Sequence, residues 1–127
     1  MNLSLKWTLN SQGGKKKSPS WEEVKECLSK LKGNAGTLTL DILDGGNIGP
    51  DMLQVRAQND NYILTLGEET DDDYKVRFYW DSSLPNEQIL LLGDYWPERQ
   101  IIKDFDLVVR IFKEFFDTGN VSVDILN

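Results

Sequence analysis

The chain contains no histidine, which excludes Ser-His and Cys-His nucleophile pairs and every imidazole-ligated metal centre. Its one cysteine, Cys27, rules out an intramolecular disulfide and a thiolate zinc site. Long hydrophobic runs are also missing. The longest, Ile89 to Leu92, falls far short of the ~20 residues that a membrane-spanning helix needs. Lys6 and Trp7 stand where a secretory leader would place its apolar stretch, so the reading is a cytoplasmic protein with no membrane association. The glycine-rich stretch Gly45-Gly46-Asn47-Ile48-Gly49-Pro50 lacks the Lys-Ser/Thr pair of a phosphate-binding loop and reads as a turn.

What is present is enough for one ordinary core. The 127 residues are 39% hydrophobic and include 13 aromatics, too apolar for a disordered chain and of a length suited to a single domain, 1–127. Charge is uneven. Residues 1–33 carry a net +4 and residues 34–127 a net −11, giving −7 in all. An acidic body repels phosphate backbones, so direct nucleic-acid binding is not expected despite Lys15-Lys16-Lys17. The same field attracts a basic protein, although solubility alone also accounts for an acidic balance.

Leu3, Leu5, Trp7 and Leu9 alternate with polar residues at the period of a half-buried strand. Residues 10–18, with two glycines, three lysines and no apolar side chain, read as a flexible loop. Ser20 and Glu23 form a capping box, and Trp21, Val24, Cys27, Leu28 and Leu31 recur at helical spacing over about 20–32. The period then changes to two, with strands around Leu38 to Ile42, Leu53 to Ala57, Tyr62 to Leu66 and Tyr74 to Phe78. Asn59-Asp60-Asn61 suits a tight hairpin. Gln88 to Leu92 is apolar enough for a sheet centre. Phe105 to Asp117 shows one apolar face, between Asp104 as N-cap and Gly119 as C-terminal stop. Val121, Val123 and Ile125 suggest a last short strand. The expected class is α+β, a mainly antiparallel mixed sheet of about six to seven strands with two helices packed on it.

Two segments could carry a partner. Asp71-Asp72-Asp73, preceded by Glu68 and Glu69, lacks the alternating order of a calcium loop. It reads either as a solvated hairpin loop or as a docking patch for a basic protein. Asp94-Tyr95-Trp96 follows an apolar strand on what reads as a loop. Tyr and Trp anchor interfaces because they bury much area at small entropic cost, yet Trp96 could equally fold back onto the sheet. Asp94 and Glu98 would make a glycosidase-like acid–base pair only beside a sugar cleft. Cys27, beside Leu28 and Leu31, reads as a structural thiol.

Taken together, several segments resemble small bacterial immunity proteins of polymorphic toxin and contact-dependent growth inhibition systems. They are Pro19-Ser20-Trp21-Glu22-Glu23-Val24, Gly49-Pro50 with Leu53-Gln54-Val55, Tyr62-Ile63-Leu64-Thr65-Leu66, Tyr74-Lys75-Val76-Arg77, Leu92-Gly93-Asp94-Tyr95-Trp96-Pro97 and Phe112 to Gly119. The resemblance implies a cytoplasmic, non-enzymatic antidote that binds a cognate toxin domain, such as a basic nuclease, and occludes its active site. It carries over no contact residues. Charge, aromatic content and expected exposure single out Asp71, Asp72, Asp73, Asp94, Tyr95 and Trp96 as partner-binding, with no cofactor and no metal, and a monomer as the expected state. The competing reading is a non-catalytic scaffold or regulatory subunit of a cytoplasmic complex.

Overall fold

The computed structural model describes residues 1–127. Strand β1 (Leu3–Leu9) turns at Asn10 and Ser11, both at positive φ, into β2 (Gln12–Lys17). Helix α1 (Trp21–Ser29) follows, then β3 (Gly36–Ile42), β4 (Gly49–Gln58), β5 (Asn61–Glu69) and β6 (Tyr74–Phe78). A separate hairpin of β7 (Gln88–Leu91) and β8 (Asp94–Pro97) leads through a 3-10 turn at Glu98–Gln100 to β9 (Ile101–Ile102) and helix α2 (Phe105–Thr118). The main sheet runs in the order β2-β1-β3-β4-β5-β6, every neighbouring pair antiparallel, and β9 also pairs with β5. The protein is therefore α+β, with seven strands in the main sheet and both helices lying against one of its faces.

The register puts one apolar row across the helix-covered face. Leu5, Leu40, Leu53 and Leu66 are successive partners, and Trp7, Leu38, Val55 and Leu64 form the next row. Val108, Ile111, Phe112 and Phe115 of α2 and Val24 and Leu28 of α1 close over them. Each large side chain so buried contributes roughly 1.5–3 kcal/mol. Trp21 and Phe116 meet at 5.7 Å between ring centroids and join the two helices.

The local signals for the helices act as read. The Ser20 hydroxyl accepts from the Glu23 N–H while the Glu23 carboxylate accepts from the Ser20 N–H, and Asp104 caps α2 through the Asp106 N–H. Gly119 sits at φ 77, a left-handed position that costs most residues about 1 kcal/mol or more.

Three expectations fail. Residues 10–18 are not a flexible loop, because β2 pairs with β1 along its length and Lys16 forms an ion pair with Glu23 of α1. An edge strand needs only backbone partners on one side, and lysines on it are a common guard against further pairing. Gln88 to Leu92 does not reach the sheet centre. Its first four residues pair only with β8, which occupies the segment expected as loop, and the hairpin lies on the helix-free face with Leu91 against Ile63 and Ile101. No terminal strand forms over 121–125. Ile125 and Leu126 both donate to the Ser122 carbonyl in a single turn, burying Val121 and Leu126 while Val123 faces solvent.

The row of leucines ends at Arg77 of β6, opposite Leu66. This guanidinium is 2% exposed. It donates to the Leu126 carbonyl at 2.9 and 3.0 Å, the Val121 carbonyl at 2.6 Å, Asn120 Oδ1 at 2.9 Å and Glu68 Oε1 at 3.3 Å. Residues 120–127 are thereby fastened along the end of β6, where Asn127 and Phe78 exchange backbone hydrogen bonds.

Candidate functional site

The alternation that sends leucines toward the helices sends a second set of side chains to the uncovered face. From β4 come Met52, Gln54 and Arg56; from β5, Thr65 and Gly67; from β6, Tyr74, Val76 and Phe78. Together with Trp96 of β8 and Gln100 beyond it they line a groove of about 400 Å³. The floor is a twisted sheet and one wall is the β7–β8 hairpin.

Local chemistry builds each end. At the hairpin end, the turn at Leu92 and Gly93 has both residues at positive φ, as a two-residue hairpin requires, and Gln58 Oε1 accepts from the Leu92 N–H at 2.8 Å. Ile89, opposite Trp96, packs with it against the small cluster of Ile63, Leu91 and Ile101. The Arg56 guanidinium lies 5.1 Å over the Trp96 ring. At the other end, a register shift between Pro50 and Met52 leaves Asp51 as an extra residue on β4. Its carboxylate accepts from the Tyr74 hydroxyl at 2.8 Å. Gly67 makes that reach possible, since a methyl group there would overlap the Tyr74 hydroxyl. Burial, then the hydrogen bond to Asp51 and the charges of Asp51, Glu69 and Asp41, push the Tyr74 phenol up to about 12.

The six residues singled out from sequence are split between these ends. Asp71, Asp72 and Asp73 form the β5–β6 connection and are all exposed. Thr70 and Asp73 close this loop on themselves through backbone and hydroxyl bonds, and the Asp73 carboxylate accepts from the Tyr74 N–H at 2.7 Å, leaving Asp71 and Asp72 pointed at solvent. No group of three or more acidic or thiol side chains is arranged to hold a metal ion. Asp94 and Tyr95 lie at the hairpin turn, near Gln58 and so at the opposite end of β5, roughly 25 Å away at ~3.3 Å per residue. Tyr95 is 71% exposed and its cross-strand partner Leu90 56%. Trp96 points the other way and is half-buried on the sheet. Glu98 approaches Lys103 at 3.8 Å, so it makes no pair with Asp94.

Arg56, Thr65, Gly67 and Gln100 lie outside the six residues singled out from sequence. Nothing in a polar–apolar alternation separates a groove-lining residue from one on a plainly solvated face. A hint for Leu90 and Tyr95 was available in principle, as two large apolar side chains on one side of a short hairpin. It required knowing that Gln88 to Pro97 folds as a hairpin.

A model of a family of unknown function (DUF6911) matches residues 4–125. Among solved structures, a crystal structure of a hypothetical protein from Neisseria gonorrhoeae aligns with a TM-score of 0.81 at 18% identity, covering 95% of this chain and 90% of that one. At that identity the likeness is one of fold alone. No curated protein matches the chain.

Proposed function

From the premise that the chain belongs to this family of unknown function, we propose that the protein is a non-enzymatic binding module, an immunity-type antidote that holds a basic toxin domain in the cytoplasm and blocks it sterically and electrostatically. The observation that carries this reading is the Leu90–Tyr95 pair. Two large apolar side chains stand side by side on the solvent face of a hairpin whose other face is anchored by Trp96. A rigid aromatic knob of this kind is what interface hot spots are made from. Asp94 beside it and Asp71 and Asp72 at the far end of the sheet supply carboxylates across a span of ~25 Å, within the width of a standard interface. The net −11 of residues 34–127 favours association with a basic partner.

The groove between these ends is lined by no carboxylate, so it supplies no acid–base pair of the kind hydrolysis would use. The test is a binding and growth-rescue assay against basic nuclease-type toxin domains. Tyr95→Ala is expected to weaken binding by about 2 kcal/mol, roughly thirtyfold. Reversing Asp71 and Asp72 to lysine is expected to slow association and flatten its salt dependence. Rescue that is unaffected by either change would remove both segments from the interface, and absence of binding and rescue would overturn the reading. A permanent place in a cytoplasmic complex is the second reading, favoured by exposed Tyr74 and Val76 on the outermost strand of the sheet. Co-purification in a stable complex of fixed stoichiometry without any toxin would decide for it.

A further inference from the structure

Arg56 is a cation without a partner. Of the four arginines, Arg77 pairs with Glu68, Arg99 donates to the Leu84 carbonyl, and Arg110 faces solvent on α2. Arg56 is half-buried and engages no hydrogen-bond acceptor or carboxylate of the chain, only the face of Trp96. Removing part of a guanidinium from water without an acceptor is costly, and stacking on an indole recovers only about 0.5–2 kcal/mol. The same ring carries the one buried side-chain polar atom that lacks a partner, the Trp96 Nε1. A half-buried guanidinium and a buried indole N–H, neither with an acceptor in the chain, therefore share one ring at one end of the groove. The Thr65 hydroxyl and the Gln100 amide, neither bonded within the chain, line it with them. In a protein with 21 acidic and 14 basic residues, no acid lines this groove. The carboxylate that approaches it, Asp51, is held at the far end by the Tyr74 hydroxyl.

We infer that the groove binds a small organic carboxylate with a flat apolar body. The guanidinium takes the carboxylate in its two-pronged geometry, and the indole on which it stacks reports the occupant. Phe78 and the Trp96 ring flank the body, and the volume of about 400 Å³ is at the small end of ligand sites. A phosphate dianion is the wrong occupant, because one guanidinium with no second cation lining the groove would have to hold it against an acidic field. The inference stands apart from the antidote reading, which places the partner on the outer face of the hairpin and at the acidic loop.

The test is an NMR titration of the full chain with phenylacetate, following the Trp96 indole N–H and the Arg56 Nε–H. Phenylacetamide and inorganic phosphate serve as parallel probes, and loss of signal in Trp96→Phe and Arg56→Gln supplies the assignments. Saturable shifts of both resonances with phenylacetate are expected. Affinity is expected to fall about tenfold or more with phenylacetamide or with Arg56→Gln, as loss of a charge-assisted pair predicts. Arg56→Lys, which keeps the charge and loses the fork, is expected to bind with an affinity between those of the wild type and Arg56→Gln, and covers the case in which Arg56→Gln folds poorly. Equal binding of acid and amide, unchanged binding by a folded Arg56→Gln, saturable binding of phosphate in place of phenylacetate, or no saturable shift with phenylacetate would each overturn the inference.

Discussion

Replacing Arg77 by methionine tests whether a single buried cation holds the C-terminal segment to the sheet. Methionine keeps most of the side-chain length and apolar bulk while removing every donor. The change leaves the Leu126 and Val121 carbonyls, both served by the guanidinium at 3.0 Å or less, without it. It also takes from Asn120 Oδ1 one of its two donors, the other being the Val121 N–H, and frees Glu68 of its countercharge. Each buried carbonyl left without a donor costs about 1–3 kcal/mol, so losing both costs about 2–5 kcal/mol. Glu68 is only partly buried and its contact is longer, 3.3 Å. Glutamine keeps an acceptor at the same position and Arg77 keeps its backbone carbonyls, so Glu68→Gln should cost less than Arg77→Met. Urea unfolding of both variants measures these differences. Hydrogen exchange adds a local readout, because Ile125, Leu126 and Asn127 donate backbone bonds that depend on this segment staying in place. Their amides should lose protection in Arg77→Met while those of β3 and β4 lose only what global destabilisation requires. A cost below about 1 kcal/mol for Arg77→Met, or equal costs for the two variants, would refute the reasoning.

Gly67→Ala should drive the Tyr74 ring off the sheet at small cost in stability, because the obstructing atoms belong to an exposed side chain able to swing away. Its phenol, freed from burial and from Asp51, should then titrate below about 12, measured by phenolate absorbance against the wild type; an unmoved titration would place Tyr74 elsewhere. Tyr62 is 1% exposed, and burial, followed by the charge of Asp60 and the hydrogen bond to it, pushes its phenol up to about 12 from 10. The fold therefore holds the proton more tightly than the unfolded chain does. Stability is full below pH 10 and falls from pH 10 to 12, by about 2 kcal/mol from this group at the upper limit. Tyr62→Phe should flatten that fall in pH-dependent denaturation, and an unchanged slope would assign it to other groups.

Much of the architecture is written in local patterns. The Ser20–Glu23 capping box, the apolar spacing of Phe105 to Phe116 and the stop at Gly119 define both helices without reference to anything distant in the chain. Alternating residues define β1 and β3 to β6, and the Asn59-Asp60 turn, both residues at positive φ, joins β4 to β5. These are features that a few neighbouring residues decide among themselves.

The remainder depends on which surfaces meet. Lys15, Lys16 and Lys17 carry no strand pattern, and β2 exists because β1 offers it a row of backbone partners. In Tyr-Lys-Val-Arg-Phe the apolar residues are the ones a local pattern would send inward. Register instead places Arg77 on the helix-covered side, where the carbonyls of residues 121 and 126 await it, and leaves Val76 and Phe78 on the open face. Trp96 and Tyr95 are adjacent in sequence, yet the hairpin sends one to the sheet and the other to solvent. The pairing of Arg56 with Trp96 joins residues forty positions apart. Periodicity along the chain therefore determined the elements and the class of fold. The groove, the buried Arg77 and the exposed knob were decided by register and docking, since these depend on contacts between segments that no local pattern encodes.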